Sequence, residues 1–131
     1  MAEPGKARYT DIVSANKDLI GSDVVNAQNE DLGTIQDVVL DAGAGRIAYA
    51  VLSFGGFLGL GEKYFAIPWN ALHFNSEEGR AVLNIDKKLL ENAPGFDKDN
   101  WPNMADSTWA RGIYEHYGYA PYWEEILVDR R

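Results

Sequence analysis

The stretch Arg46 to Phe54 sets the strongest condition on how this chain can fold. It places Ile47, Tyr49 and Val51 on one side of a strand and Ala48, Ala50, Leu52 and Phe54 on the other. Successive side chains of a strand point to opposite faces, so this strand is apolar on both, and covering one face alone leaves the other greasy face in water. The chain must therefore supply, or recruit, material for two sides of its sheet.

Strand and turn signals surround that segment. Asn16 to Gly21 reads as a helical or turn segment closed by glycine, leading into a short strand at Val24-Val25. Gln28 to Asp31 is a polar connection, Gly33 is a candidate for positive φ, and Thr34 to Asp41 reads as a strand. Its alternation is broken, since Ile35 and Val39 share one parity while Val38 and Leu40 take the other. This predicts either two covered faces or a bulge near Gln36-Asp37. Ala42-Gly43-Ala44-Gly45 suits a hairpin into Arg46 to Phe54. Tyr64 to Ile67 is a further strand ended by Pro68, Trp69 to Leu72 turns a corner, and Leu72 to Phe74 with Ala81 to Ile85 forms a last hairpin. Asp86 caps a short helix through Leu89-Leu90 that Pro94-Gly95 stops. Several short strands joined by glycine turns within ninety residues predict a small barrel, because closure removes exposed sheet edges.

Beyond Pro94 the texture changes: three of four tryptophans and four of seven tyrosines follow residue 100. Asp106 is placed to cap a helix at about 107–117 that ends at Gly118, with Trp109, Ile113 and Tyr117 in one stripe. That stripe needs a cover, either the chain's own barrel or a second subunit. The expected organisation is thus a flexible arm over residues 1–11, a β-barrel over 12–92 and a C-terminal extension over 93–131.

Composition narrows the chemistry. At 131 residues the chain fits one domain with a real core. It has no cysteine, which removes disulfides, thiolate nucleophiles and thiolate metal sites and points to a reducing, cytoplasmic compartment. The net charge of −8, with scattered Lys and Arg, argues against direct nucleic-acid binding. No apolar run is long enough to span a bilayer, and the N-terminus lacks a signal-peptide core.

Motifs for catalysis fail one by one. The run Gly55 to Lys63 is rich in glycine, yet Gly61 is followed by Glu62, no dinucleotide frame fits, and the run leads into a strand where phosphate binding needs a helix N-terminus. Its Phe57, Leu58 and Leu60 belong either to a buried turn or to a contact surface for a partner. His73 and His116 lack metal-ligand spacing. Ser53 lacks the first glycine of a nucleophile elbow, and Asp97, Asp99 and Asn100 do not complete a calcium loop. No residue is assigned to catalysis, a cofactor or a metal.

The segments Leu19-Ile20-Gly21, Leu32 to Asp41, Arg46 to Gly56, Phe57 to Trp69 and Pro94 to Pro102 together resemble the PRC-barrel family in its small stand-alone bacterial members. The resemblance spans about Ser14 to Trp123. It implies a mainly β fold, a six-stranded PRC-type β-barrel, here with a helical, aromatic-rich C-terminal extension. Relatives include the cytoplasmic part of the photosynthetic reaction centre H subunit and the end of a ribosome maturation factor. Their unrelated tasks license architecture and a general binding role. The expectation is a non-catalytic protein-binding or assembly module, a homo-oligomer or the partner of another protein, with Phe57, Leu58, Leu60, Trp109, Ile113 and Tyr117 as candidate interface residues. The alternatives are an adaptor to a membrane electron-transfer complex or to ribosome maturation, and a small-ligand-binding protein or unadvertised enzyme.

Overall fold

A computed structural model describes residues 12–55 and 62–124. A π-helical turn, Ala15–Leu19, opens this part, with the Ser14 side chain accepting from the Lys17 N–H. Six strands follow among the described residues: β1 Asp23–Val25, β2 Asp31–Asp41, β3 Arg46–Gly55, β4 Glu62–Pro68, β5 Leu72–Asn75 and β6 Arg80–Leu83. Two α-helices complete it, α1 Lys87–Glu91 and α2 Ser107–Tyr117.

The strands form one curled sheet in the order β4-β3-β2-β1-β6-β5, antiparallel except for the parallel β1–β6 pair. Its edge strands, β4 and β5, are consecutive in sequence and are joined by the 3-10 turn Trp69–Ala71 after Pro68. No ladder joins them among the described residues, so the cylinder read from the strand pattern is a half-barrel here. Part of the β4 edge is instead occupied by the C-terminal extension: Tyr64 and Phe96 exchange both backbone hydrogen bonds at 2.9 Å. Pairing an edge in this way removes its free donors and acceptors from solvent.

β2 begins at Asp31, three residues before the strand expected from Thr34, and its register slips between Ile35 and Asp37 and again between Val39 and Leu40. The first slip is the bulge that the broken alternation predicts. Gly33 has φ of 114°, and a Cβ there would lie 2.1 Å from the Ser53 carbonyl oxygen, so β2 can approach β3 at this point only through glycine. At the other end Gly45, with φ of 70°, completes the hairpin turn, where the Asp41 side chain accepts from the Ala44 N–H.

The ladders resolve the two-faced strand. Residues paired across antiparallel strands project to the same side. Ile35, Leu52 and Phe65 make one such row and Val38, Ala50 and Ile67 another, both on the concave side. Val39, Tyr49 and Pro68, then Asp37, Val51 and Ala66, then Thr34, Ser53 and Tyr64 make rows on the opposite side. The concave rows join Val24, Leu32, Ala81 and Leu83 in the core. The outer rows are covered by the segment that starts at Pro94.

Candidate binding surfaces

α2 exists because both ends are specified locally. The Asp106 carboxylate accepts from the Thr108 and Trp109 N–H groups, and Gly118, with φ of 78°, ends the helix in a left-handed cap. The apolar face between these caps lies on the outer side of β3 and β4. Trp109 and Tyr114 meet the Tyr49 ring at centroid distances of 5.6 Å each, and the Tyr114 hydroxyl donates to the Ala48 carbonyl at 3.0 Å. Ahead of the helix, Phe96 and Trp101 pack edge-on against Tyr64.

Of the sequence candidates, Ile113 is 1% and Tyr117 6% exposed, and Trp109 is half-buried against Tyr49. These three therefore take part in the fold of their own chain. Phe57, Leu58 and Leu60 lie outside the described residues. His73 is exposed on β5, while the His116 Nε2 stands 2.9 Å from the Leu89 carbonyl oxygen; as that oxygen only accepts, the nitrogen donates, tying α2 to α1. Ser53 is buried in the outer row, and Asp97, Asp99 and Asn100 are exposed. Among the described residues no group of three His, Asp or Glu could hold a metal ion. None of their helices is long and apolar enough to cross a membrane.

Sequence reasoning missed the place where the β2–β3 hairpin meets the C-terminal extension. The Tyr122 hydroxyl donates to the Asp41 Oδ2, and the Arg46 guanidinium lies 4.6 Å over the Tyr122 ring. The Tyr122 hydrogen bond, helped by the Ala44 N–H, holds the Asp41 carboxyl below its ordinary range. Burial, with the Asp41 charge beside it, pushes Tyr122 up to about 12. Burial likewise raises Tyr49, with Tyr122 adding to the effect. At neutral pH the cluster is thus one carboxylate facing one guanidinium, with both phenols protonated.

Behind this cluster lies a cavity of about 520 Å³ between β2, β3 and the extension. Its floor is Ala48, Tyr49 and Ala110, all buried, and its rim carries Leu40 and Ala105, both exposed. Leu40 is 65% exposed and Trp101 40%, which makes them, with Ile12, the large apolar side chains most open to solvent among the described residues.

The PRC-barrel domain family matches residues 11–90, the π-helical turn, all six strands and most of α1. This chain belongs to the PRC-barrel family. The match stops before Pro94, so the cover on the outer face lies beyond the family's own domain. A solved structure to which the chain is similar, described as a 16S ribosomal RNA processing protein, RimM, of Pseudomonas aeruginosa, is 17% identical with a TM-score of 0.38. The likeness covers 54% of this chain and 43% of that one, so the chain spans under half of that protein's length. No curated protein matches the chain.

Proposed function

We infer that this PRC-barrel chain is a non-catalytic binding or assembly module, acting by contact with a protein partner or with a second copy of itself. The observation that carries this reading is the internal cover on the outer face. The aromatic extension already meets the apolar demand of β3 and β4, so the two most exposed large apolar residues among those described, Ile12 and Leu40, are surplus to the core. Surplus apolar residues on a chain of net charge −8 are suited to specific contact, with like-charge repulsion limiting indiscriminate association. The connection carrying Phe57, Leu58 and Leu60 is the proposed contact segment, three large apolar side chains among glycines at the Gly55–Glu62 end of β3 and β4.

Size-exclusion chromatography with light scattering tests the reading on the full chain. The expected result is a mass that rises with concentration in the wild type and stays at one chain in the Phe57→Ser, Leu60→Ser double variant. A strict monomer at every concentration, whose tagged form also brings no protein out of its own cells, would overturn it.

A further inference from the structure

The segment between the Tyr64–Phe96 bridge and α2 holds an indole in place at the surface. Trp101 is 40% exposed, yet its ring is fixed on several sides. Its Nε1–H donates to the Lys98 carbonyl at 2.8 Å, and its plane meets those of Tyr64 at 90° and Phe96 at 59°. The backbone beneath it is held as well. Phe96 exchanges both backbone hydrogen bonds with Tyr64, and the Asn100 N–H donates to the Asp97 carbonyl at 3.0 Å. Gly95 lets this segment lie close on β4, since a Cβ there would stand 2.9 Å from the Phe65 ring and 3.2 Å from Cδ of Lys63. Beside the indole is an open cleft of about 380 Å³, within the roughly 300–1,000 Å³ of small-molecule sites. Lys63, Asp97 and Asn100 line it with Trp101; all three are exposed, and among the described residues none of their side chains is engaged in a hydrogen bond or ion pair.

We propose that this cleft binds a neutral pyranose sugar, with a C–H face of the ring stacked on the Trp101 indole and its hydroxyls on Lys63, Asp97 and Asn100. A sugar ring joins an apolar face to an edge of groups that each donate and accept. The cleft offers the complement: an aromatic surface, an ammonium that only donates, a carboxylate that only accepts and an amide that does both. Neutrality follows from Lys63 and Asp97, whose opposite charges leave no net charge on the lining. A quaternary ammonium would gain from the indole face but would meet the Lys63 charge. A proline-rich peptide also suits aromatic grooves, but its prolines carry no N–H for Asp97 to accept from, and the Trp101 N–H that could serve its carbonyls is spent on Lys98. The proposal goes beyond the binding-module reading and uses other residues, although Lys63 follows closely on the segment that carries Phe57, Leu58 and Leu60.

The probe is methyl β-cellobioside, whose ring hydroxyls are all equatorial and leave flat C–H faces. Saturation-transfer difference NMR on the full chain is expected to show saturable binding at about 1 mM or tighter, with transfer strongest to the protons of one ring face. Sorbitol, which carries similar hydroxyls without a ring, is expected not to bind. Trp101→Ala should weaken binding by about tenfold or more. Because that ring also packs on Tyr64 and Phe96, two variants at exposed positions give a check that leaves the core alone. Asp97→Ala and Asn100→Ala should each weaken binding by about five- to tenfold at an unchanged thermal midpoint. The Phe57→Ser, Leu60→Ser double variant should bind the sugar as the wild type does, so that this proposal and the contact-segment reading fail separately. The proposal is overturned by the absence of saturable sugar binding, by wild-type affinity in Asp97→Ala and Asn100→Ala, by loss of binding in the double variant, or by saturable binding of a hexaproline peptide in place of the sugar.

Discussion

At Gly33, φ of 114° and the Ser53 carbonyl leave space for a hydrogen and nothing larger. Gly33→Ala would drive a methyl into a backbone oxygen that is fixed by the β2–β3 ladder, and it would hold alanine in a strained backbone region. We expect a loss of at least about 2 kcal/mol, read by urea denaturation. Asp41 gives a different kind of expectation. Its carboxyl titrates below the ordinary 3.8 in the folded chain, so the folded state binds this proton less tightly than the unfolded one. The associated stability is fully present above pH 4 or so and is lost as pH falls through the lowered folded value. Tyr122 is the largest cause of the shift, so Tyr122→Phe should bring the Asp41 titration back toward 3.8 and flatten the acid limb of stability. Carboxyl-carbon NMR between about pH 2 and 5 checks this; an unchanged Asp41 titration in Tyr122→Phe would refute it.

The elements differ in how much of each was written locally. Asp106 and Gly118 mark the ends of α2 by side-chain chemistry and glycine conformation, and both boundaries could be read from the sequence because a cap acts within a few residues. Asp106→Ala is expected to cost about 1 kcal/mol by thermal or urea denaturation, with the helix fraying at its first turn. The bulge in β2 was legible for the same local reason, as a break in alternation between Ile35 and Val38. Three things were not. The early start of β2 at Asp31 depends on its pairing with Val25 of β1, and the half-barrel outline depends on where β4 and β5 come to lie. The cavity cluster joins residues 81 positions apart in the Asp41–Tyr122 bond, and the link from Tyr114 to Ala48 spans 66. No period or spacing encodes such pairs, because they exist only after the extension has docked on the sheet.

For the whole molecule, the two apolar faces of β3 and the aromatic tail are parts of one solution. The concave rows close around the half-barrel core, and the outer rows accept α2 and the Phe96–Trp101 segment. The same sequence could have placed that tail on a neighbouring subunit, since the aromatic stripe specifies that it must be covered and not by which copy. In this structure Tyr114 and Trp109 pack on Tyr49 of the same chain. Isotope-filtered NMR on an equal mixture of carbon-13-labelled and unlabelled chains, unfolded together and refolded, separates the alternatives. Contacts between the Tyr114 ring and the β3 side chains at Tyr49 and Val51 are expected only within single molecules. Their appearance in the spectrum that selects contacts between molecules would contradict the account.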